Sequence, residues 1–369
     1  MISGFDALQF IVEMIPDFMH YIEEIKSLRQ ERKKEKTMSR NKTVDLLRFI
    51  LSLMIIPIHA DLFIDVYRPL FLCFTLGLVR VGVPFFFIVS GYYLQDRIDK
   101  GKSIRRSVLR YLRLWILFIL LDLAFTGWYF YPTFPNTFAF LHKALFTGLS
   151  DAYWFLPVLV ISQLILVPVF RKGYIPAAVA AGFILYLFAM THDSYSFLFE
   201  GTWIHRLSGL HTTIFIFPQG GLVESVFFLS VGGWIHQNRE KITAAVQGRI
   251  RLLVFGIILF SVLLMTEAYL TQSSGAYDGN CYLSLVFLPA LMFILALVHD
   301  PVSFDTRKPG EVSLYIYLIH PIAVSVLRMA GANSVIRTLG AAAVSLVIGF
   351  AVTRFLRKRQ RRHITGQAA

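Results

Sequence analysis

Residues 44–64 read VDLLRFILSLMIIPIHADLFI, a run of membrane-spanning length whose only interruptions by ionisable groups are Asp45, Arg48, His59 and Asp61. Arg48 and His59 are eleven steps apart. Eleven steps of an α-helix make about three full rotations and rise roughly 16 Å, so both side chains share a face. Ionisable groups inside membrane helices are costly to bury and tend to mark a pathway or a site. Asp45, three residues before Arg48, is placed to pair with it. Taken alone, His59 could equally be a structural imidazole bonded to a neighbouring helix. Its alignment with Arg48 favours a functional role.

Working outward, comparable apolar stretches recur at about 70–94, 112–131, 153–170, 174–191, 214–236, 252–270, 281–298, 312–330 and 335–356. The 369 residues are 56% hydrophobic with a mean hydropathy of +0.61, values that exclude a disordered or ordinary soluble chain. The expectation is an all-α membrane bundle of about ten transmembrane helices. The net charge of +13 is a topology signal rather than a nucleic-acid footprint. Thirty Lys and Arg fall in 26–48, 97–113, 171–172, 239–251, 307–308 and 354–362, against five (Arg68, Lys143, Arg206, Arg328, Arg337) in the alternate segments. The positive-inside bias therefore places both termini in the cytoplasm, in a multi-pass protein of the cell membrane.

Residues 1–37 form a separate stretch, apolar at helical spacing and then basic (KSLRQERKKEK). They read either as an interfacial helix on the anionic leaflet or as an upstream extension of a chain starting at Met38. The membrane domain is expected over 38–356 and a basic cytoplasmic tail over 357–369. Cys73 and Cys281 are too few for a Cys-rich metal site and read as core thiols. No HExxH, CxxC, GxGxxG or P-loop occurs, so no metal is expected.

Four further constellations carry polar chemistry. In RVGVPFFFIVSGYY (80–93), Pro84 weakens the preceding turn, Gly82 and Gly91 permit close helix approach, and Arg80 needs an anionic ligand or a carboxylate such as Asp122 or Glu224. In RRSVLRYLRLW (105–115), Arg110 and Arg113 share a face near the level of Arg48, and converging guanidiniums suit phosphate. Trp154 in YWFLP (153–157) reads as an interface aromatic or a pore-lining residue, and Tyr315 and His320 in SLYIYLIHP (313–321) as pore-lining or structural. Glu267 and His211 are expected near the outer surface, solvated.

Together these segments resemble the acyltransferase type 3 family of integral membrane acyltransferases. The resemblance covers roughly residues 40–356 and rests on R-x(10)-H at Arg48 and His59, GVPFFFIVSGYYL, RYLR at 110–113, YWFLP and SLYIYLIHP. Within the family the chain is most similar to the membrane half of membrane-bound serine racemases. Those carry a racemase domain after the membrane part, which is not expected here. The resemblance implies transfer of an acyl group, usually acetyl from acetyl-CoA, to a cell-surface carbohydrate or similar envelope acceptor. It gives His59 the catalytic role, and Arg48, Arg110 and Arg113 essential cytoplasmic-side roles. Pro84 stands where many members carry an acidic residue before the paired Phe. On this reading the CoA phosphates dock on the three arginines while His59 deprotonates an acceptor hydroxyl or is transiently acylated. A different class remains open: a permease-like module for serine or another small polar solute, with Arg80 and the ninth helix as its midplane site.

Overall fold

The computed structural model describes residues 41–146, 149, 152–214, 221–276 and 279–365. The chain divides into residues 1–42 and residues 43–369, and the second unit is described here. The basic extension expected over 1–37 falls outside the described residues. No strand occurs among them.

Ten helices organise the unit: α1 (Lys42–His59), α2 (Gly82–Asp99), α3 (Arg105–Phe130), α4 (Phe155–Arg171), α5 (Ile175–Met190), α6 (Gly221–Gln237), α7 (Ile250–Ser273), α8 (Leu288–Val298), α9 (Arg307–Met329) and α10 (Ser334–Thr365). Further helical pieces connect them, among them Thr137–Phe146 and Trp203–Ile214. Among the described residues four helical segments are long and apolar enough to cross a membrane: 68–99, which ends in α2, and α7, α9 and α10. Helices α4 and α5 are apolar but shorter. Leu252, Phe255, Ile258 and Val262 on α7, and Leu339 and Val347 on α10, present exposed apolar side chains, as a lipid-facing helix does.

Two expected spans are interrupted. The apolar run 44–64 stays helical only to His59, because the chain turns at Asp61, whose φ is 52°. The second run is not one regular helix: a π turn at Phe71–Thr75 and a 3₁₀ turn at Leu78–Val81 precede α2. Gly77 explains part of the break, since a Cβ there would overlap the Cys73 carbonyl and meet Ala268. Pro84 then falls in the first turn of α2, where no helical N–H is required.

Helix α6 packs against α2, α4 and α5 in the middle of the bundle. Its crossing with α2 is backbone on backbone: a Cβ on Gly91 would overlap the Leu229 carbonyl, and one on Gly232 the Ile88 carbonyl. This realises the close approach expected of Gly91. The main core gathers Leu51, Phe85, Phe87, Phe170, Tyr186, Phe228 and Phe293 around that crossing. A second cluster (Ile56, Ala60, Val312, Ile316, Val324, Ala341) fixes α1 against α9 and α10. No disulfide joins the two cysteines; Cys281 is buried and Cys73 half-buried.

Candidate functional site

His59 is the last residue of α1, and the structure sets its imidazole beside that of His320 on α9, ring centroids 5.2 Å apart and planes tilted by 44°. His59 is half-buried and His320 fully buried. The Nδ1 of His320 is 3.1 Å from the Ile316 carbonyl oxygen. A carbonyl can only accept, so Nδ1 carries the hydrogen and, in the neutral ring, Nε2 is left with a lone pair. That Nε2 is buried and has no hydrogen-bond partner. Two residues far apart in sequence thus form one imidazole pair.

The register of His320 is set by a reciprocal bracket. Tyr317, one turn earlier on α9, donates its hydroxyl to the Ala152 carbonyl at 2.7 Å, and Tyr153 donates to the Leu318 carbonyl at 2.9 Å. Phe118, Ile119 and Leu156 pack around the two tyrosines. Two of the sequence motifs, YWFLP and SLYIYLIHP, are thereby joined. Trp154, inside the first, is half-buried and packs on the main core.

The turn after His59 is held by residues that the sequence reading passed over. Leu62 N–H donates to the Pro57 carbonyl at 3.0 Å while Asp61 takes the left-handed conformation, a Schellman-type helix stop. Arg328 at the end of α9 donates to the His59 carbonyl at 2.9 Å and to the Asp61 carboxylate at 2.8 Å. Arg337 on α10 donates to the Ala60 carbonyl at 3.0 Å and lies 3.7 Å from the Asp61 carboxylate. Cations at a helix C-terminus satisfy its last carbonyls and oppose its macrodipole. Asp65 accepts from the backbone N–H of Ser334 at 2.9 Å and from its hydroxyl, and these bonds hold its carboxyl below the usual carboxylate value. The available signal was the charge count, since Arg328 and Arg337 are two of the five basic residues on the basic-poor side.

Near the opposite end of α1, Arg48 pairs with the buried Asp45 at 3.9 Å, as its spacing predicts. Arg110 and Arg113 on α3 are exposed, and neither makes an ion pair with a described residue. Two such guanidiniums suit a phosphate-bearing ligand. Arg110 is within electrostatic range of the half-buried Tyr315 on α9. Among the described residues, no ion pair or hydrogen bond joins Arg48 to Arg110 or Arg113.

Arg80 belongs to a different cluster. It donates to Asn280 Oδ1 at 2.5 Å and is within electrostatic range of the buried Glu224, while the Asn280 amide donates to Asp193 at 3.0 Å. Asp122, the other carboxylate considered for it, instead accepts from the Leu149 amide at 2.8 Å and the Thr126 hydroxyl at 3.0 Å. Glu267 is not simply solvated: it accepts from the Tyr195 hydroxyl at 2.6 Å and from the amides of Leu283 and Ser284. The side chain of His211 falls outside the described residues. No group of three or more metal-ligating residues occurs among the described ones.

An all-helical fold with four helical segments long and apolar enough to cross a membrane among the described residues marks a membrane protein, and the family match gives its class. The chain belongs to the acyltransferase type 3 family: the family model, an acyltransferase domain, matches residues 41–354. Among curated proteins it is similar to a serine/alanine racemase of Enterococcus gallinarum, 27% identical over 304 residues, which are 78% of this chain and 41% of the relative. An amino-acid racemase of Enterococcus faecalis is 23% identical over 302 residues, covering 77% of this chain and 41% of that protein. The chain thus spans about two fifths of the length of these relatives, which are membrane proteins. No solved structure matches it.

Proposed function

We propose that the chain transfers an acyl group, acetyl in the simplest case, from a cytoplasmic acyl-CoA to a hydroxyl of a cell-surface carbohydrate or similar envelope acceptor. The observation that carries this reading is the His59–His320 pair, on a first helix that also holds Arg48 eleven residues earlier. Arg48, Arg110 and Arg113 bind the CoA phosphates by charge-assisted forked bonds. The acyl thioester reaches His59 along α1. His59 then acts in one of two ways. As a general base it takes the acceptor's hydroxyl proton while that oxygen attacks the thioester carbonyl. As a nucleophile it takes the acyl group first and passes it to the hydroxyl. Both routes end in an ester and a protonated CoA thiol. The Nε2 lone pair of His320 suits it to accept a hydrogen from the neighbouring imidazole, which leaves the far nitrogen of His59 as the reactive one. The protein is multi-pass in the cell membrane with both termini cytoplasmic, as its charge asymmetry supports.

A second reading has its own support. The relatives are named for serine, alanine and amino-acid racemisation, and Arg80 with Asn280 marks the irregular segment before α2. A permease-like module for serine or another small polar solute would use such a broken helix. Sealed vesicles separate the two: labelled acetyl-CoA inside, envelope carbohydrate outside, with serine uptake measured in parallel. Wild type labels the carbohydrate, and His59→Ala loses on the order of a hundredfold to ten-thousandfold in rate while acetyl-CoA still binds. Arg113→Ala weakens that binding. Serine uptake with no acyl transfer would replace the acyltransferase reading by the permease one.

A further inference from the structure

We propose that Arg328, held in place by Asp61, is a positioning residue for acyl transfer that fixes His59 against His320. This rests on the reading of His59 as the group that handles the acyl transfer.

The argument starts from where His59 is found. It is the final residue of α1, and helix ends fray unless their last carbonyls find donors. A one-residue loss of helix there would swing the imidazole off its face. The carbonyl of His59 itself receives the Arg328 guanidinium at 2.9 Å, and that of Ala60 receives Arg337 at 3.0 Å. The clamp therefore acts on the backbone of the residue that carries the imidazole.

The identity of residue 61 points the same way. Its φ of 52° is a conformation that favours glycine at a helix stop, and Asp adopts it at some cost. An aspartate there supplies what glycine cannot, a carboxylate 2.8 Å from Arg328 and 3.7 Å from Arg337. It orients both guanidiniums toward the two carbonyls.

Arg328 also shares α9 with His320, eight residues away, about two turns or roughly 12 Å along the axis. One helix thus supplies the partner imidazole and the hand that holds the first. Any shift of α9 carries both together, so the ring separation of 5.2 Å is preserved as the bundle moves.

The test uses the full-length protein in sealed vesicles loaded with radiolabelled acetyl-CoA, reading label in envelope carbohydrate and normalising to inserted protein. Arg328→Gln is expected to lower the maximal rate about tenfold to a hundredfold, the scale of a displaced reacting group, with the KM for acetyl-CoA within about twofold of wild type. Arg328→Lys, which keeps a cation but not the planar fork, recovers part of the rate. Asp61→Gly is the decisive variant, because it keeps or improves the turn while removing the carboxylate. It is expected to lose maximal rate by severalfold with no loss of inserted protein, and it decides alone if Arg328→Gln fails to insert. Wild-type maximal rate in Asp61→Gly would overturn the inference. His59→Ala, run beside it, separates the two levels: an active His59→Ala protein refutes the site, whereas an inactive one beside a fully active Asp61→Gly refutes only the clamp.

Discussion

Replacing each tyrosine of the bracket between residues 152–153 and 317–318 with phenylalanine should have unequal effects, and the structure says which is larger. Tyr153 donates to the carbonyl of Leu318, which lies inside α9 and keeps its place in that helix's own ladder. Removing the hydroxyl then forfeits one neutral hydrogen bond, about 1 kcal/mol. Tyr317 donates to the carbonyl of Ala152, which precedes α4 and has no helical ladder of its own. Removing that hydroxyl leaves a buried acceptor short of a partner, so the loss should reach about 2 kcal/mol. Both side chains are buried, so water does not replace the lost donor. The two bonds tie the same pair of segments. Once one is gone the other loses its alignment, and the double variant should fall short of additivity by roughly 0.5–1 kcal/mol. Equilibrium unfolding in mixed micelles, followed by tryptophan fluorescence, measures all four corners of the cycle. Equal effects of the two single changes, or an additive double, would refute the bracket. Because His320 lies one turn beyond Tyr317, the same variants should also lower acyl transfer.

Two further predictions concern packing and pH. Gly232→Ala forces a Cβ into the Ile88 carbonyl at the α2–α6 crossing, and overpacking of about 1–3 kcal/mol outweighs the roughly 1 kcal/mol gain in helix propensity, so micelle unfolding should show a net loss. The Ser334 hydroxyl and amide hold the Asp65 carboxyl below its ordinary 3.8, so its folded pKa is the lower one. Its contribution is present above the unfolded value and disappears as pH falls through the folded one. Thermal stability should therefore drop below about pH 4, and Asp65→Asn should flatten that limb; an unchanged acid limb would exclude the Ser334–Asp65 hydrogen bonds as its source.

How much of this was legible in the sequence depends on the distance over which each contact acts. The Arg48–Asp45 pair and the shared helix of Arg48 and His59 follow from local spacing, and both are found. The tight contact at Gly91 was legible from the residue type alone, though not its partner Leu229. His320 stood out as an ionisable group in an apolar segment, yet nothing local tells that it meets His59, since that contact is made by the packing of α9 on α1. The apolar run to residue 64 overshot the helix because hydropathy continues through Leu62–Ile64 while the backbone has already turned at Asp61. The sequence marks Arg328 and Arg337 only as two of the five basic residues in the basic-poor segments, because a helix end that needs capping leaves no mark in the sequence of its capping partner. The partners of Glu267 are hidden for the same reason, its donors coming from two other segments.

The brevity of α4 and α5 bears on the membrane as much as on the protein. At 17 and 16 residues they rise only about 25 Å, a few ångströms less than a typical hydrocarbon core of about 30 Å. In the proposed topology a bilayer around such helices thins locally or lets the headgroup layers dip toward them. Lipid thickness then becomes a quantity on which turnover depends: long-chain lipids press against the short helices, and short-chain lipids meet them without strain. Two membranes holding the same enzyme at the same density would then run the reaction at different rates.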